Sequence, residues 1–251
     1  RAEHLVDPTP ERLRRLLGAA PGTVVAMTLA PERPGALDAV RRLVEAGVLV
    51  AVGHSDATAA QVRAAGDDGA RMVTHVFNAQ RGLHHREMGV SGTALVDDRL
   101  SPGLILDLHH VVADAVRLVF AVAGDRVVLV TDAVAAADMP PGRYVLGGEP
   151  VVVTEDGPPL RDDGVIAGSG LRLDDAVAHA VGLGVDLVTA VEAASRRPAD
   201  LLGRPDLGRL EPGARGDLVW LGDDLRARAT WTSGHLAFGT VPRAVSAGAQ
   251  R

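Results

Sequence analysis

Five short apolar runs, each followed by a segment of helical periodicity, constrain this chain more than any other feature. The runs are TVVAMTLAP (23–31), VLVAVGH (48–54), ARMVTHVF (70–77), PGLILDLHH (102–110) and RVVLVTDA (126–133). They are rich in Val and lack polar alternation, as strands covered on both faces should be. The helical segments carry their own punctuation. Thr9 is placed to cap a helix with Pro10 at its first position and Glu11 in its first turn. A second helix follows Pro34 and stops at Gly47, and others are expected over 56–66, 115–124, 171–184 and 186–203. Alternating strands and helices predict an α/β protein with a parallel sheet. At least five such units in one domain favour a (β/α)8 TIM-type barrel over an open doubly wound sheet. The absence of a GxGxxG turn before the first helices points the same way.

The period changes near 143–166, where YVLGGEPVVVTEDG reads as an inserted β-hairpin turning at Gly147-Gly148. Beyond Gly203 the chain reads as short antiparallel strands with tight turns. The expected division is therefore a barrel over 1–204 and a C-terminal β-sandwich remnant with tail over 205–251. So few strands cannot form a core by themselves.

Charge and composition narrow the chemistry. A formal net charge of -6, with no Lys/Arg cluster, argues against a nucleic-acid partner. With no cysteine in the chain, any metal must be held by His, Asp or Glu. No signal-peptide pattern and no apolar run of membrane-spanning length is read in these residues, so a cytoplasmic location is expected and a membrane partner is not.

The ends of the strands are where reactive side chains collect. In a barrel of this type they project into the active-site mouth. The second and third runs close on His54 and His75, the fourth on Asp107, His109 and His110, and the fifth on Asp132. Neighbouring parallel strands lie about 4.8 Å apart, so both imidazoles can reach one ion at about 2.0–2.1 Å per bond. A lone strand-end histidine is commonly a satisfied rim residue, and a lone Asp a turn cap. A series of them suggests a metal-assisted hydrolytic site, with the carboxylate of Asp132 moving a proton.

The segments GHSDAT (53–58), THVFNA (74–79), LHHREMG (83–89), DLHHV (107–111), LVTDA (129–133) and DDGVIAGS (162–169) resemble, in order and spacing, the motif series of the N-acetylglucosamine-6-phosphate deacetylase family of the amidohydrolase superfamily. TLAPE (28–32) and EPGARGDLVWL (211–221) fit the same pattern. The resemblance implies hydrolytic removal of acetate from N-acetylglucosamine 6-phosphate by a metal-activated water. It implies His54 and His75 as metal ligands and Asp132 as the catalytic acid/base. Its substrate contacts correspond to His4, Asn78, Ala79, Arg86, His110, Ile166, Ala167 and Gly168, with Arg86 binding phosphate across a homodimer interface. The implied cofactor is a divalent metal, Zn2+ first and Fe2+, Mn2+ or Co2+ as alternatives.

Two departures matter. The family's glutamate ligand, in an HxEGPF segment, has no counterpart here, and neither Glu3 nor Glu32 matches it. The chain thus reads as the C-terminal two-thirds of such an enzyme, with an open barrel edge that invites pairing or aggregation. Leu108 stands where the family usually has glycine. An amidohydrolase for another N-acyl substrate, or an inactive remnant, are the alternative readings.

Overall fold

The computed structural model describes residues 6–155 and 157–240. Helix α1 (Pro10–Ala19) starts as expected, with the Thr9 side chain accepting the Arg12 amide and Pro10 in the first turn. A five-stranded parallel sheet follows, built from β1 (Ala26–Leu29), β2 (Leu49–Val52), β3 (Met72–Val73), β4 (Ser101–Ile105) and β5 (Val128–Val130). Its strand order equals its sequence order, so each crossover passes to the adjacent strand. The intervening helices are α2 (Ala36–Glu45), α3 (Ala59–Asp67), α4 (Gly89–Val96) and α5 (Ala113–Ala123).

The interior Val-rich runs are strands because both of their faces are covered, whereas the edge strand β1 alternates exposed and half-buried residues and departs from that expectation. Val50, Ala51 and Val52 are all buried, as are Leu104 and Ile105 on β4. Apart from Ala51, they pack with Val40 and Leu43 of α2, Val62 of α3 and Val116 of α5 in one core. With aromatics at only 2% of the chain, Val, Leu and Ala fill that core.

A residue well beyond β5 extends the parallel arrangement. Ser169 bridges in parallel to Ala133, so the chain returns beside the end of β5 before entering α6 (Leu173–Gly182). Among the described residues the sheet does not close: β1 pairs only with β2. The expected hairpin is present as β6 (Gly142–Leu146) and β7 (Glu149–Val153), joined by β8 (Leu160–Arg161). Its turn residues Gly147 and Gly148 both have positive φ, the requirement of the tight turn that suits strand twist.

One helical expectation needs correction, and one helix is not expected from the sequence. The segment 186–203 is two helices, α7 (Leu187–Ala194) and α8 (Arg196–Leu201), with a break at Ser195. Pro198 explains it, since its ring would clash with the carbonyl four residues back in an unbroken helix. Helix α4 carries no sequence signal, with Gly89, Gly92, Ser91 and Thr93 in its eight residues. It forms because Gly89 through Leu95 are buried, so tertiary packing overrides poor propensity. The separate antiparallel sheet comprises β9 (Leu218–Leu221), β10 (Ala227–Thr232) and β11 (His235–Gly239) in the order β11-β10-β9.

Candidate active site

Strands β2 and β3 each end two residues before a histidine, and the two rings meet. His54 Nε2 and His75 Nε2 are 2.9 Å apart, with ring planes near perpendicular at 79°. One ion with bonds of about 2.0–2.1 Å can span that gap. The His75 ring is buried, and its Nδ1 has no partner among the described residues. Burial holds the His54 imidazole below its ordinary value, and the facing His75 adds to that, while Asp132 opposes it. His54 is thus kept in the neutral form that a metal requires of an imidazole, with Asp132 close enough to act on it. The donor chemistry fits a divalent ion, although no third His, Asp or Glu completes a cluster among the described residues.

Backbone strain marks the same place. Six of the nine non-glycine residues with positive φ among the described residues lie here: His54, His75, Phe77, Ala79, Leu108 and Asp132. L-residues leave the left-handed region unless the surroundings over-determine them, and such strain gathers at functional sites. Leu108, with φ 64, has the conformation that glycine adopts freely, which explains why a glycine would suit this position.

The backbone around the two histidines and Asp132 is held by named neighbours. Gly53 precedes His54, and a Cβ there would lie 2.8 Å from Thr74 Cβ and 3.0 Å from Thr28 Cγ2. Its bareness lets Thr28 and Thr74 hydrogen-bond across β2 at 2.9 Å, fixing the residues just before both histidines. Asp132 is held through its main chain. Its carbonyl accepts the Ser169 amide at 2.9 Å, and the buried Ser169 hydroxyl donates to the Thr131 carbonyl. Gly168, at φ 106, allows this approach, since a Cβ would stand 2.4 Å from Val134 Cγ1.

After β4, Asp107 and His110 form a buried pair, with Oδ2 to Nδ1 at 2.6 Å. Burial alone would raise the Asp107 carboxyl. Hydrogen bonds from the His110 ring and from the amides of His110 and His109 outweigh it, so the group lies below the ordinary carboxylate range. The helix residue His179, which by sequence looks like an ordinary surface histidine, bonds through Nδ1 to the Leu106 carbonyl at 2.8 Å. It therefore ties α6 to the loop that carries Asp107.

The remaining expected site residues are more scattered. Asn78 turns its side-chain amide to the Val76 carbonyl at 3.2 Å, and the Ala79 carbonyl accepts the Ser55 amide at 3.2 Å. Arg86 is exposed in a loop with His84 and His85, its own amide donating to His84 Nδ1 at 3.2 Å. Ile166, Ala167 and Gly168 form the half-buried stretch leading into Ser169. His4 lies outside the described residues. The sequence gives no role to Glu32, beyond its not matching the family's glutamate ligand, nor to Ser55, Ser169 and the Thr28–Thr74 pair. The TLAPE and GHSDAT motifs contain three of them but give no sign of their partners.

The chain is similar to known proteins over most of its length. At 44% identity the chain matches the N-acetylgalactosamine-6-phosphate deacetylase of Escherichia coli O157:H7, over 90% of this chain and 60% of that protein. The N-acetylglucosamine-6-phosphate deacetylase of Vibrio furnissii is 38% identical, over 93% of this chain and 59% of its own. The crystal structure of N-acetyl-D-glucosamine-6-phosphate deacetylase from Mycobacterium smegmatis superimposes with a TM-score of 0.90 at 38% identity, covering 95% of this chain and 64% of that one. A mutant of the same enzyme was solved in complex with N-acetyl-D-glucosamine-6-phosphate. The chain thus spans about three fifths of the length of these relatives. Since the amidohydrolase family profile matches residues 6–246, nearly its full length, the chain belongs to the amidohydrolase family.

Proposed function

We propose that this chain carries the metal site and the acid/base of an enzyme that hydrolyses N-acetylglucosamine 6-phosphate to glucosamine 6-phosphate and acetate. The observation that carries the reading is the convergence of His54 and His75, 2.9 Å apart, within the field of Asp132. Amidohydrolase kinship implies a divalent metal. His54 and His75 would hold it, with zinc as first choice and Fe2+, Mn2+ or Co2+ as substitutes. When bound, such an ion supplies Lewis acidity toward the amide carbonyl and toward water.

The chain's own groups account for the rest. Asp132 takes the proton of the attacking water and returns it to the departing amine nitrogen. Asp107 accepts from His110 Nδ1, which leaves His110 Nε2 as an acceptor for a sugar hydroxyl. Asn78, Ala79 and the Ile166–Ala167–Gly168 stretch shape the sugar pocket, with His4 as a further contact. The Arg86 fork reads the phosphate from the neighbouring subunit of a homodimer. We assign residues 1–204 to a (β/α)8 barrel and 205–251 to β-sandwich strands. A cytoplasmic setting suits a charged sugar phosphate, and no described helix is long and apolar enough to cross a membrane.

The test is acetate release by the metal-loaded protein. Asp132→Asn is expected to abolish release and keep the metal. An active variant removes Asp132 from its role, and a wild-type protein that holds metal without hydrolysing any N-acyl sugar phosphate supports the remnant reading instead. Running N-acetylgalactosamine 6-phosphate alongside, because one relative carries that name, reads the sugar preference. Arg86→Ala should erase any preference for phosphorylated over unphosphorylated sugar.

A further inference from the structure

We propose that Glu32 is a positioning residue for the metal site, holding the turn that carries His54 without touching the ion. The inference rests on the functional reading above. His54 has φ 48, a conformation it keeps only under constraint. Upstream the constraint is β2 itself, where the Gly53 amide donates to the Leu29 carbonyl. Downstream it converges on one carboxylate. Ser55 Oγ donates to Glu32 Oε2 at 2.6 Å, and the Asp56 amide donates to Glu32 Oε1 at 2.7 Å. Both oxygens are therefore engaged by the two residues that immediately follow His54. Ser55 is 3% exposed, and its hydroxyl oxygen also accepts the Ala57 amide at 3.1 Å, passing the restraint toward α3.

The same turn is tied to the loop behind His75. Ser55 donates its amide to the Ala79 carbonyl and accepts the Arg81 amide at 2.9 Å. Arg81 in turn grips Asp56 with two hydrogen bonds, at 2.9 and 2.8 Å. Glu32 thus joins the loops after β1, β2 and β3 into one frame that sets the distance between the two imidazoles. A carboxylate suits the post because it accepts two donors at once and donates nothing. Glutamine accepts on one oxygen only and presents an N–H2 to the second donor. Aspartate keeps the charge but is one methylene shorter.

Outer groups that orient metal ligands commonly change metal affinity by about 10- to 100-fold when altered. Zn2+ affinity by chelator competition and the visible spectrum of the Co2+ form should be measured for the wild-type chain, Glu32→Gln, Glu32→Asp and Ser55→Ala. Glu32→Gln should weaken affinity by about 10- to 100-fold and shift the Co2+ bands, with Glu32→Asp recovering part of both. Adding Ser55→Ala to Glu32→Gln should cost less than the two effects combined. Asp186→Ala, which removes the cap of α7 far along the chain, controls for general destabilisation and should leave the spectrum unchanged. If the wild-type chain binds metal and the Glu32 variants match it in affinity and spectrum, Glu32 has no positioning role while the metal reading stands. A wild-type chain that takes up neither ion overturns both. Should Glu32→Gln fail to fold, Glu32→Asp and Ser55→Ala carry the test.

Discussion

At the scale of single residues, the site is a set of costly choices stabilised by specific neighbours. The Asp107–His110 pair is the clearest case, since both side chains are under one tenth exposed. Replacing Asp107 with Asn removes a charged acceptor from three donors, two amides and the His110 ring. The expected cost is about 1.5–3 kcal/mol near neutral pH. A carboxyl depressed in the folded state contributes stability that is complete above its unfolded value, 3.8, and is lost as pH falls through the depressed one. The gap between wild type and Asp107→Asn in urea unfolding should therefore hold from neutral pH down to the carboxylate range and shrink below it. A gap unchanged at about pH 3 would mean that the charge is not what stabilises the loop. The strand-end residues His54, His75, Asp107 and Asp132 were legible because an apolar run that closes on an ionisable group is chemically odd. Glu32 and Ser169 were not. A single Glu or Ser is ordinary anywhere, and what these two do depends on partners 23 and 38 positions away, Ser55 and Thr131.

At the scale of elements, the strand ends are shaped as much by glycines as by the ionisable residues that close them. Gly168 sits at φ 106 against Val134 and the Asp132 carbonyl, whereas a Cβ on Gly170 would meet nothing within 4 Å. Gly168→Ala should cost about 2 kcal/mol or more through strain and overpacking. In a chain of this size that corresponds to a melting point lower by roughly 4–8 °C. Gly170→Ala should stay within about 0.5 kcal/mol of wild type. Equal melting points for the two variants would show that the close approach at Asp132 relaxes freely. Element identity followed from the sequence wherever period and punctuation agreed, as in α2 between Pro34 and Gly47 and in the hairpin at Gly147-Gly148. Helix α4 stayed hidden because its helicity comes from burial, and the break at Ser195 went unseen because the weight of Pro198 was missed within a strong apolar period.

At the scale of the whole molecule, two surfaces lack cover among the described residues. Strand β1 pairs on one side only, next to Val25 at 58% exposure. In the β9–β11 sheet, Val219, Leu236 and Phe238 are exposed at 52%, 46% and 58%. An unpaired edge is a template for further pairing, and apolar side chains grouped on a small sheet seek a second layer. The chain should self-associate as its concentration rises, which light scattering coupled to size exclusion reads directly. The double variant Leu236→Thr/Phe238→Lys should shift the population toward monomer, with the far-ultraviolet circular dichroism unchanged because neither substitution enters the Val–Leu–Ala core. The proposed metal site, His54 and His75, lies at the ends of the parallel sheet and so should titrate alike in both forms. Wild-type chain that stays monomeric throughout would mean these side chains are already covered, and a variant that associates equally would move the contact to the β1 edge.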